Sequence, residues 1–133
     1  MARVLIVDDE REVVMMLQFT LQSVGHEISV AFSGVEALQR LGVEPADPTL
    51  PLPDIVVMDV RMPELDGLST AARMAASPRA KKVPIILLSG DGGESRPVMA
   101  RLPNIVGRID KPFEPKTLRQ MIADKLPPAA AAS

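Results

Sequence analysis

The 133-residue chain has no cysteine, no tryptophan and no tyrosine. Without cysteine there is no disulfide, no thiolate metal site and no thiol nucleophile. A single histidine, His26, excludes a multi-histidine metal centre and a triad of histidine with cysteine. Neither sign of charge dominates: 15 Lys and Arg stand against 17 Asp and Glu, for a net charge of -2. That balance lacks the basic surplus of a nucleic-acid binder. No apolar run approaches the roughly 20 residues of a membrane-spanning helix. The first apolar stretch starts almost at Met1, which leaves no room for a signal peptide, so a cytoplasmic location is expected. Three phenylalanines are the only aromatics, so the core must be built from aliphatic residues and from some of the 8 methionines. Proline is plentiful, at 13 residues, and should stiffen the loops.

Short apolar runs alternate with stretches of helical period. ARVLIV (2–7) reads as a buried strand. EREVVMMLQFTLQSVG (10–25) places Val13, Met16, Leu17, Leu21 and Val24 at helical spacing, with Gly25 as the stop. Five consecutive apolar residues, Val13 to Leu17, cannot all face inward, so Val14 or Met15 is expected outside. HEISVAF is a second strand, and SGVEALQRLG is a short helix with Ser33 as N-cap. VEPADPTLPLP is a proline-rich loop without periodicity. DIVVM, VPIILLS and NIVGRI read as three further strands. GLSTAARMAAS and EPKTLRQMIADKL read as helices, the second with Pro115 in its first turn and Leu118, Met121, Ile122 and Lys125 on one face. Between the last two strands, DGGESRPVMARLPN is a poor helix, broken by Gly92, Gly93, Pro97 and Pro103. PPAAAAS (127–133) reads as a short disordered tail after one domain over 1–126. The order is (βα)5. Strands apolar on both faces imply a doubly wound α/β fold, a parallel five-stranded sheet with helices on both sides.

Ligands of such sheets bind beyond the carboxyl ends of the strands. Those ends carry Asp8 and Asp9, Asp59, Ser89 and Lys111. Three converging carboxylates repel unless a cation sits among them. With oxygen donors alone, a hard ion is indicated, and Mg²⁺ suits a few carboxylates together with water and phosphate. Lys111 offers a point charge for a phosphate, and Ser89 a hydroxyl. A carboxylate in that setting can attack phosphorus and hold the product as an aspartyl phosphate.

The segments VLIVDDE, VVMDVRMPELDG, IILLSG and DKPF, in this order, resemble the receiver domain of two-component response regulators. Asp59 follows Asp9 by 50 residues, Ser89 follows Asp59 by 30, and Lys111 follows Ser89 by 22. The resemblance runs from Arg3 to about Leu126 and implies a flavodoxin-like fold of the stand-alone, chemotaxis-regulator kind. It implies Asp59 as phosphoacceptor, with Asp8, Asp9, Asp59 and the backbone carbonyl of Arg61 around Mg²⁺. It implies Ser89 as a switch residue bonded to the phosphoryl group, Lys111 paired with the phosphoryl oxygens, and a cis bond before Pro112. Pro63 and Gly67 would shape the loop after Asp59, and Gly90 would leave room for the phosphodonor. Arg61 and Asp91, each two residues past a site residue, would tune the lifetime of the phosphoryl group. The implied donor is a histidine kinase or phosphotransfer protein. The implied receiver of the signal is a downstream protein bound at the face of the fourth helix, fifth strand and fifth helix. A monomer or weak dimer is expected, without direct nucleic-acid or membrane contact, and without catalysis beyond its own phosphorylation and slow dephosphorylation.

Other readings fit less well. A haloacid-dehalogenase-like phosphatase also uses Asp and Mg²⁺, but expects a second Asp two residues after the nucleophile. Here Asp59 is followed by Val60 and Arg61. A phosphate-independent pseudo-receiver would lack one of the acids or the lysine, and none is missing. Glu10 reads as a helix-start acid. His26 reads as a half-exposed residue at a strand start. The chain departs from the receiver pattern in its long proline-rich loop, its weak fourth helix and at Arg108, which stands where an aromatic residue is usual. Arg108 is expected at the surface, since an unpaired buried guanidinium is costly.

Overall fold

A computed structural model describes residues 2–90 and 96–126. Five strands alternate with five helices. The strands are β1 (Arg3–Val7), β2 (Glu27–Ala31), β3 (Ile55–Asp59), β4 (Ile85–Ser89) and β5 (Ile105–Asp110). The helices are α1 (Arg11–Gln22), α2 (Gly34–Arg40), α3 (Gly67–Ala75), α4 (Arg96–Met99) and α5 (Pro115–Lys125). All strand pairs are parallel, in the order β2-β1-β3-β4-β5. This is the flavodoxin-like doubly wound arrangement. Every residue of β3 and β4 is buried, as continuous apolar runs with both faces covered must be.

The pleat sorts side chains by period two. Val4, Ile6, Val57, Ile86 and Leu88 pack with Val14, Leu17 and Leu21 of α1 and with Leu118 and Ile122 of α5. Leu5, Val7, Val56, Met58, Ile85 and Leu87 pack on the other side with Leu38 of α2 and Met74 of α3. Apolar burial of this kind stabilises by roughly 25 cal/mol per Å² and holds the strand ends level.

Helix α1 turns Leu17 and Leu21 inward and Met15 outward as expected, and corrects the rest of the expected phase. Val14 is buried, while Met15 and Met16 are exposed, and Val24 lies beyond the helix in solvent. Val13 is only half-buried. Five successive apolar residues fit several stripes, and contact with the sheet selects Val14, Leu17 and Leu21. In α5, Leu118 and Ile122 are buried and Met121 half-buried, but Lys125 is exposed. Ser33 caps α2, accepting from the Glu36 N–H at 3.0 Å, and Pro115 begins α5.

The proline-rich loop is aperiodic yet well tied. Arg79 donates from Nε to the Leu41 carbonyl at 2.8 Å and from Nη1 to the Pro48 carbonyl at 3.2 Å. Arg73 pairs with Glu44 at 2.7 Å. Among the described residues α4 spans only Arg96–Met99, and none of these is buried. The expected tail at 127–133 and the residues 91–95 lie outside the described residues.

Candidate functional site

The carboxyl ends of β1, β3, β4 and β5 meet at one edge of the sheet. Asp8 directly follows β1 and is fully buried. Its Oδ1 accepts from the Glu10 N–H at 2.9 Å, a local turn that lifts the chain into α1. Its Oδ2 is buried and accepts no hydrogen bond. Asp59 ends β3 at 4% exposure. Its Oδ1 accepts from the Arg61 N–H at 3.2 Å, and its Oδ2 from Lys111 Nζ at 3.0 Å. Lys111 also lies 3.7 Å from Asp8. The peptide bond between Lys111 and Pro112 is cis, as the resemblance implies. The Lys111 N–H donates to the Ser89 carbonyl at 2.7 Å, so β4 and β5 stay zipped up to the site. Ser89 itself is buried.

Gly67 explains how tightly the loop after Asp59 closes. Its N–H donates to the Val60 carbonyl at 2.8 Å. A Cβ there would stand 2.2 Å from the Asp59 carbonyl oxygen. Asp66 then caps α3, accepting from the Ser69 N–H at 2.7 Å. Gly90 has open space where a Cβ would go. Arg61 is exposed. Asp91 lies outside the described residues.

Carboxylate oxygens of Asp8, Asp9, Glu10 and Asp59 lie within 4.8 Å of one another. Glu10 is the residue that sequence reasoning left out. Its side chain makes no cap hydrogen bond, so its part in α1 does not occupy it. The signal was its adjacency to Asp8 and Asp9, masked because acids are common at helix starts. Burial pushes the Asp8 carboxyl up to about 6; the Glu10 N–H opposes the rise, Asp59 adds to it, and Lys111 opposes it. Burial also works against the Lys111 ammonium, but the hydrogen bond and charge of Asp59, with Asp8 and Glu10, outweigh it and leave its pKa raised. The lysine therefore stays charged. Asp8 Oδ2, buried, accepts no hydrogen bond and has only the Lys111 ammonium at 3.7 Å, so it is the atom that a hard cation would satisfy. The all-oxygen cluster fits such an ion.

Arg108 corrects the expectation of a surface residue. Its side chain is 9% exposed, held by Asp110 through Nε at 3.0 Å and also through Nη2. Residues i and i+2 of a strand share a face, which lets Asp110 remove most of the cost of burying the guanidinium.

Among the described residues no helix is long and apolar enough to cross a membrane. The family model for the response regulator receiver domain matches residues 4–123. A chemotaxis protein, CheY1 of Helicobacter pylori, is 31% identical over 121 residues, covering 90% of this chain and 93% of its own. The structure of CheY4, a chemotaxis protein of Vibrio cholerae, superposes with a TM-score of 0.80 at 29% identity, covering 95% of this chain and 99% of that one. A receiver domain of the sensor histidine kinase PA1611 from Pseudomonas aeruginosa, described with a magnesium ion coordinated in its active-site cleft, shares the fold. Its TM-score is 0.79 at 22% identity, over 99% of this chain and 98% of that one. The chain belongs to the response regulator receiver domain family, and its place is in two-component signalling.

Proposed function

We propose that the protein accepts a phosphoryl group on Asp59 from a histidine kinase or phosphotransfer protein and passes the signal by a change of surface. The observation that carries this reading is the pairing of Asp59 Oδ2 with Lys111 at 3.0 Å beside an acidic cluster. Asp59 attacks phosphorus, its oxygen forms the new O–P bond, and the N–P bond of the donor phosphohistidine breaks. The leaving imidazole takes up a proton. Lys111 shifts from the Asp59 carboxylate to the phosphoryl oxygens, and Ser89 donates its hydroxyl to them. Asp8, Asp9, Asp59 and the Arg61 carbonyl would hold Mg²⁺, with the Glu10 carboxylate beside them in the same cluster. When bound, the ion supplies charge neutralisation for the transferring group. Arg61 and Asp91 set how long the product survives. Gly90 leaves the entrance open, and the protein works in the cytoplasm as a signalling module.

The donor docks where it can reach Asp59. Helix α1 springs from the acidic cluster and shows Met15 at 69% and Phe19 at 77% exposure, one turn apart. Two large apolar side chains so placed suit a docking contact. The output partner binds at α4, β5 and α5.

Acetyl phosphate with Mg²⁺ tests the reaction. A persistent adduct of one phosphoryl group supports the phosphoacceptor. Steady release of phosphate without an adduct points to the phosphatase reading. No reaction points to a pseudo-receiver.

A further inference from the structure

Arg11 opens α1, directly after the acidic run Asp8, Asp9 and Glu10. A cation in the first turn of a helix is disfavoured by the helix dipole, and anions beside it attract it. Asp9 and Glu10 are exposed and stand two residues and one residue before it. Yet among the described residues Arg11 forms no ion pair with either. Its guanidinium lies instead over the ring of Phe32, 5.1 Å from the ring centre.

The topology shows what that contact does. Phe32 follows β2, and β2 lies on the opposite side of β1 from β3. The Asp8 N–H donates to the Ala31 carbonyl at 3.1 Å, so the ends of β1 and β2 are level. The ring therefore draws the guanidinium to the flank of β1 that faces away from Asp59. Lys111, at the end of β5, reaches Asp59 from the other flank. Phe32 is itself fixed: its N–H donates to Glu36 Oε2 at 3.2 Å, and Ser33 caps α2 directly after it. The chain holds only three aromatic residues, so composition alone does not explain an aromatic face under this cation.

We propose that Phe32 parks Arg11 away from the acidic cluster and so keeps Asp9 and Glu10 open to Mg²⁺. Arg11 is a tethered cation, present at high effective concentration, that competes with the ion for the same carboxylates. The ring removes part of that competition. Phe32 is then a positioning residue, acting through Arg11 rather than on the ion. The inference rests on the reading of the cluster as a Mg²⁺ site.

Mg²⁺ titration at constant ionic strength, followed by the amide NMR signals of Asp9 and Glu10, tests it. Phe32→Leu keeps an apolar side chain and loses the ring face. It is expected to weaken Mg²⁺ binding about two- to fivefold, the size of an exposed cation–π contact. Phe32→Trp offers a stronger face and should bind Mg²⁺ at least as tightly as the wild type. In the Arg11→Ala background, Phe32→Leu should change nothing, because the competing cation is gone. Equal Mg²⁺ affinity in wild type and Phe32→Leu overturns the proposal. So does a loss that persists at the same size in the Arg11→Ala background. A wild type that binds no Mg²⁺ removes the metal reading of the cluster, and the role of Phe32 with it.

Discussion

Asp8 is buried, and one of its oxygens accepts no hydrogen bond and has only the more distant Lys111 charge. Its carboxyl is raised from 3.8 to about 6 chiefly by burial. The folded state therefore binds its proton more tightly than the unfolded chain does. Stability from this group is fully present below about pH 4 and is lost as the pH rises through about 6, some 3 kcal/mol in all. Urea unfolding in EDTA should show this decline, and saturating Mg²⁺ should offset it above pH 6. A flat profile in EDTA contradicts the burial argument. Arg108 gives a second test. Arg108→Leu removes a buried, under-satisfied charge and is expected to raise stability by about 1–3 kcal/mol. Asp110→Asn strands the guanidinium and lowers stability by a similar amount. Equilibrium unfolding measures both. Asp8, Asp59 and Lys111 were legible in the sequence because a charged residue at the end of an apolar strand has few structural reasons to be there. The burial of Arg108 was not, because it depends on Asp110 two residues away, and that pairing reads as ordinary surface charge.

The loop from β3 to α3 is where element geometry controls the site. Gly67 is pressed against the Asp59 carbonyl, so Gly67→Ala must push α3 away from β3. The expected cost is about 1–3 kcal/mol, with slower phosphorylation, since the Arg61 N–H that holds Asp59 lies in the same loop. Asp66→Ala loses only the helix cap, about 1 kcal/mol, and should leave the phosphorylation rate near wild type. Thermal unfolding with acetyl phosphate kinetics separates the two variants. Strands and their order were readable because runs such as IILLS are apolar on both faces. The phase of α1 was not, since Val13 to Leu17 offers no unique stripe and the sheet makes the choice. For that helix, Phe19→Asp should slow transfer from a cognate kinase while leaving the reaction with acetyl phosphate unchanged.

The whole molecule joins a rigid sheet to one acidic edge. Two apolar layers fix the strand ends, and four of the five strands meet there with Asp8, Asp59, Ser89 and Lys111. The long proline-rich loop, tied by Arg79 and Arg73, lies in the connection between α2 and β3, and the site takes none of its residues from it. On the function proposed above, this edge carries a phosphoryl group on Asp59. The most direct test of that function is mass spectrometric mapping of wild type and Asp59→Asn after acetyl phosphate and Mg²⁺. One phosphoryl group is expected on Asp59 of the wild type, absent when Mg²⁺ is chelated beforehand, and none on the variant. An adduct on another residue, formed at the wild-type rate in Asp59→Asn, would contradict it.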